Sequence, residues 1–100
     1  MLPHWPPGTV TILVTADETP RAIPVSAAIR VGPRHALIGL AAVRGSVARL
    51  RADPRVSLAI LAQDVAMTAY GHARVLDDVL AEGVVAVEIE VHEVQDHDRP

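Results

Sequence analysis

Over most of its length the chain alternates between short runs with an apolar residue at every second position and short runs of turn residues. "TVTILVT" (9–15) puts Val10, Ile12 and Val14 on one face and three threonines with Leu13 on the other. That period of two predicts a strand. After the "ADETP" turn, "RAIPVSAAIRV" (21–31) predicts a second strand, in which Pro24 demands an edge or a bulge because it has no N–H to give a ladder. "ALIGLAA" (36–42) follows the "GPRH" turn and is apolar on both faces, so it predicts a third strand covered on both sides. These three predict an antiparallel meander.

"RVSLAILA" (55–62), "VAMTAYGHARVL" (65–76) and "VVAVEIEVHEV" (84–94) predict three more strands. In the fifth, Met67, Ala69, Gly71, Ala73 and Val75 share one face; Thr68, Tyr70, His72 and Arg74 share the other. In the sixth, Val85, Val87, Ile89 and Val91 point inward, and Glu88, Glu90 and His92 outward. "DDVLAEG" reads as a loop or one helical turn.

Between the third and fourth strands the period changes. "SVARLRAD" predicts a short helix with Ser46 as its N-cap and one narrow apolar stripe, Val47 and Leu50. Asp53-Pro54 stops it, because the residue before proline avoids the helical region. The order is therefore three strands, one short helix, three strands. It predicts a mainly β fold: a six-stranded antiparallel barrel or sandwich with one short helix between strands 3 and 4. "MLPHWPPG" holds three of the eight prolines and predicts an extended arm over 1–8, before a domain over 9–94 and a polar tail over 95–100.

Composition narrows the function classes. A chain of 100 residues is one domain or part of one, and half its residues are hydrophobic, which argues against disorder. So short a chain gains from burying surface against a partner. There is no cysteine, hence no disulfide framework and no thiolate metal site. No apolar run approaches the roughly 20 residues of a membrane-spanning helix. The N-terminal residues lack the basic-then-apolar pattern of a signal peptide, so the expected location is the cytoplasm. A net charge of −3 and only two aromatic residues argue against nucleic acid and against an oligonucleotide-binding barrel.

Within this acidic chain, four of nine basic residues (Arg44, Arg49, Arg51 and Arg55) fall in twelve positions. "VRGSVARLR" carries the candidate chemistry. A helix N-terminus offers unpaired N–H groups and partial positive charge to an anion. Gly45 allows close backbone approach, Ser46 adds a hydroxyl, Arg44 a bidentate fork, and Arg49 lies about one turn on. The plainer alternative is a capped, solvated surface helix. Elsewhere, small residues on neighbouring strands (Ser26, Ala27, Ala28, Gly39, Ala41, Ala42) leave room for a flat ring or for a second subunit. Tyr70 and His72 read as a surface or interface pair, with stacking on a ring as the alternative. Trp5 reads as a packing anchor. His92 and His97 are five apart, and the histidine spacing predicts no metal site. No catalytic residue is assigned.

The order of "TVTILVTADETPRAIPVSAAIRV", "ALIGLAAVRGSVARLRADPRVSLAIL", "AYGHARVLDD" and "VVAVEIEVHEV" resembles the FMN-binding split-barrel superfamily, which includes pyridoxamine 5′-phosphate oxidase. The resemblance implies a split β-barrel and a flavin-nucleotide-binding oxidoreductase acting on a small molecule. It implies a homodimer with FMN, or a deazaflavin, in the groove between subunits. It places Ser46, Arg44 and Arg49 at the cofactor phosphate, and it sets Pro24, Val25, Ser26, Ala27, Leu40, Ala41 and Ala42 along the ring. Where many members carry lysine in a Ser-x-Lys segment this chain has Val47 and Ala48, and it has no lysine at all. That departure motivates a second reading, a dimeric barrel or carrier that has lost cofactor chemistry.

Overall fold

The computed structural model describes residues 1–16, 21–25, 28–41, 45–62 and 64–97. Seven strands and one helix follow in the order β1 (Val10–Thr15), β2 (Arg21–Val25), β3 (Ala28–Gly32), β4 (His35–Ala41), α1 (Gly45–Ala52), β5 (Arg55–Ala62), β6 (Val65–Ala81) and β7 (Val84–Asp96). All pairings are antiparallel, in one curled sheet of order β2-β1-β5-β6-β7-β4-β3.

The expected count of six strands is corrected to seven. The second predicted strand is two strands that never pair with each other. β2 pairs with β1, β3 with β4, and the two lie at opposite edges of the sheet. The expected three-strand meander is therefore broken, and the helix falls between β4 and β5. Pro24 sits on an edge strand, where its missing N–H leaves no interior ladder position empty. The first five residues of "DDVLAEG" are strand, and only Glu82 and Gly83 form a turn. The backbone of β6 continues through Ala81, and the register against β7 shifts on either side of Val79.

Side-chain alternation builds the core. Leu13, Ile38, Leu58, Ile60, Val87, Ile89 and Val91 are buried, each worth roughly 1.5–3 kcal/mol of transfer free energy. In β1 the buried face is Thr11, Leu13 and Thr15, while Val10 is 56 % exposed and Ile12 and Val14 are half-buried. Thr11 enters the core because its hydroxyl donates to the Val25 carbonyl oxygen at 2.8 Å. The more apolar face of β1 is thus left outside, and it continues across the sheet. Val10 lies opposite Leu61, Ile12 opposite Ala59, and on the other flank Ile12 lies opposite Pro24 and Val14 opposite Ala22.

α1 has eight residues, too few to persist alone. It is held by Leu50, buried in the core, and by Val47 packed against it. It begins at Gly45, so Ser46 is its second residue and not the expected N-cap. At the other end the Asp53 N–H donates to the Arg49 carbonyl at 2.8 Å. Past Pro54, the Arg55 backbone N–H and guanidinium both return to the Asp53 carboxylate, with the shortest contact 2.6 Å. Those two donors, the guanidinium first, lower the Asp53 pKa to about 2. A carboxyl depressed below its unfolded value of 3.8 contributes stability that is complete above that value and is lost as pH falls through about 2. Acid titration of the fold should therefore show a loss between those limits that Asp53→Asn removes, checked by circular dichroism; equal slopes for the two proteins would rule it out.

The N-terminal arm is docked. Leu2 is buried in the core and its N–H donates to the Pro33 carbonyl at 2.8 Å. The Trp5 indole N–H donates to the Ala28 carbonyl at 2.9 Å, and Arg30 Nε reaches the Leu2 carbonyl at 3.1 Å. Trp5 is thus the expected packing anchor. Among the described residues no helix is long and apolar enough to cross a membrane.

Candidate functional site

The first turn of α1 and the open end of β2 face each other across a groove of about 480 Å³ lined by Arg21, Ala22, Ile23, Pro24, Ser46 and Arg49. The sequence positions each of them. Gly45 starts the helix, and Ser46 follows it into the buried side of the first turn. Arg49, one turn on, folds its guanidinium back over Gly45. A Cβ at that glycine would stand 3.2 Å from Arg49 Nη1 and 3.7 Å from Cζ.

The groove's field is positive. Two guanidinium groups face a helix N-terminus whose first turn carries no acidic residue, and among the described residues no carboxylate lines the groove. Arg49 Nε is buried and has no hydrogen-bond partner. Such a donor costs about 1–3 kcal/mol unless something accepts from it. The Nε and neighbouring Nη edge of a guanidinium matches a pair of oxygens on phosphate or carboxylate. This arrangement can hold a phosphate.

Of the residues expected at a cofactor, Pro24, Ser46 and Arg49 come together in this groove. Val25 and Leu40 are buried in the core, and Ala41 is half-buried at the end of β4. Ser26, Ala27, Ala42 and Arg44 lie outside the described residues. Sequence reasoning missed Arg21. The signal was present: the alternation that buries Ile23 and Val25 puts Arg21 on the same face at the strand's end. Arg55, one of the clustered arginines, is held by Asp53 and takes no part in the groove.

A second groove, of about 390 Å³, opens on the outer face of β5, β6 and β7. Val14, Ala16 and Val56 give it an apolar floor; Tyr70, His72 and His92 are among the polar residues lining it. The Tyr70 hydroxyl donates to Gln95 Oε1 at 3.2 Å.

No protein-family model matches the chain, and no curated protein matches it. Solved structures do. The Group A Streptococcus protein HupZ superposes with a TM-score of 0.79 at 8% identity, covering 91% of this chain and 86% of that one. An F420 reductase gives 0.72 at 11% identity over 88% and 90% of the two chains. A Clostridium acetobutylicum protein related to general stress protein 26, of the pyridoxinephosphate oxidase family, gives 0.69 at 11% identity over 88% and 78%. The chain has the split-barrel fold of the pyridoxamine 5′-phosphate oxidase-like proteins. At these identities the shared property is the fold.

Proposed function

We propose that the protein binds a flavin nucleotide, FMN in first place, and acts as an oxidoreductase on a small molecule. The observation that carries this reading is the groove in which Arg21, Ser46 and Arg49 converge with an unpartnered Arg49 Nε. The residues fit the group. Two guanidiniums and a helix N-terminus would suit the dianionic phosphate of FMN, with Ser46 and Pro24 lining the same groove. Bound flavin would supply hydride and electron transfer, with the chain contributing orientation and charge. A deazaflavin is the alternative cofactor, supported by the likeness to an F420 reductase.

The experiment is a spectroscopic titration with FMN, riboflavin and a deazaflavin. FMN should bind more tightly than riboflavin by at least about tenfold, because only FMN carries the phosphate that two charge-assisted contacts would hold. Equal affinity for the two refutes the phosphate assignment, and no binding of any of the three refutes the reading.

The second part of the reading is a homodimer with the cofactor between subunits. It is supported by the outward apolar row of Val10, Ile12, Val14, Pro24 and Leu61, with Val10 and Leu61 more than half exposed. Exposed apolar area of this kind marks an interaction surface. Leu61→Arg should halve the sedimenting mass while the circular dichroism spectrum is retained; an unchanged mass rules this face out. The absence of lysine favours one competing reading, a barrel without cofactor chemistry, which predicts the dimer without flavin binding.

A further inference from the structure

The outer groove holds an arrangement with no part in the flavin reading. Across β6 and β7 the register runs Tyr70 opposite Glu93, then Gly71 opposite Val91 and His72 opposite Glu90. His92 is the extra residue of a bulge. A bulge re-aims the side chain it displaces, and here it turns His92 toward His72. His72 Nδ1 and His92 Nε2 stand 2.5 Å apart, with ring centroids 4.6 Å apart and planes at 71°. Both side chains are exposed to solvent.

We propose that His72 and His92 form a two-imidazole binding site for a divalent transition ion of the zinc, nickel or copper kind. Such ions prefer imidazole nitrogen, at about 2.0–2.1 Å per bond. Two cis ligands at that length lie roughly 3 Å apart. A rotation opening the pair by less than 1 Å, about one side-chain libration, admits the ion. The proton that now bridges the rings moves to a distal ring nitrogen or to solvent, and both facing lone pairs become donors.

The surroundings support a cation. Glu90 Oε1 lies 3.9 Å from His92 Nδ1, the side of the ring that faces away from His72. A carboxylate there adds negative charge beside the pair, which favours a cation. Glu93 lines the same groove and adds negative charge to it. Arg55, the one guanidinium lining the groove among the described residues, is engaged by Asp53 at 2.6 Å, which offsets its repulsion. Among the described residues no group of three or more metal-ligating side chains exists, so water completes the coordination and the affinity is modest.

The test uses the untagged full chain and the ions themselves: Zn²⁺ and Ni²⁺ by calorimetry, with a His4→Gln background to remove chelation near the N-terminus. His72→Gln and His92→Gln should each weaken binding by more than about tenfold, since even the loss of a residue orienting a ligand costs that much. His97→Gln, which removes a ring bonded to Thr68, should leave it unchanged. Glu90→Gln should weaken it less than either ligand variant. The site is overturned if the His72→Gln/His92→Gln double variant binds as well as the parent, or if His97→Gln abolishes binding. FMN affinity of the double variant should equal the parent's, which separates this site from the flavin groove.

Discussion

Arg49→Ala should weaken FMN binding by about 10- to 150-fold, because a hydrogen-bonding group that meets a charge contributes roughly 1.5–3 kcal/mol. Its thermal stability should be unchanged or slightly higher. The wild-type side chain keeps a buried Nε without a partner, so truncation removes a desolvation cost along with the charge. Arg49→Lys should fall between the two proteins, since an ammonium supplies charge without the planar fork. Riboflavin affinity should barely move in any of them. Flavin fluorescence titration reads all three; equal FMN affinity for wild type and Arg49→Ala would remove Arg49 from the phosphate site.

Gly71→Ala should cost about 3 kcal/mol or more, a large stability effect for a single methyl group. A Cβ on Gly71 would overlap the carbonyl oxygen of Glu90 and stand 2.8 Å from its carbonyl carbon and 3.0 Å from Val91 Cα. All three contacts are backbone of β7 at the bulge, where nothing short of moving the strand relieves them. For a domain of this size such a loss lowers the melting temperature by roughly 12 °C or more. Thermal melts followed by amide circular dichroism decide it: a shift of only a degree or two would mean that the two strands separate easily there.

The strands were largely legible because alternation and turn residues are local signals. The fourth predicted strand, 55–62, coincides with β5. The break between β2 and β3 was not legible. "SAAI" carries no marker of a change of partner, and only the pairing with β1 or β4 separates the two strands. The inward face of β1 was open for a related reason. A face covered by another surface and a face turned to the core look alike in sequence, and here Thr11 went inside with a hydroxyl bond while Thr15 went inside without one.

In the candidate site, Ser46 and Arg49 were legible as a helix entrance. Arg21 was separable from other surface arginines only by its alternation with Ile23 and Val25. The meeting of His72 and His92 was invisible. It depends on the register of two strands and on a one-residue bulge, and residues 20 apart leave no spacing signature.

The single tryptophan of the chain is on the N-terminal arm, tied to β3 by the indole bond to Ala28. Its emission therefore gauges whether the arm is seated on the barrel's edge and says little about the sheet. If the arm lifts before the strands part, fluorescence and far-ultraviolet dichroism will trace two different curves through the same denaturation. Each optical signal in this molecule has its own address. Trp5 speaks for the arm, while Tyr70, the one tyrosine, lines the groove beside the paired imidazoles.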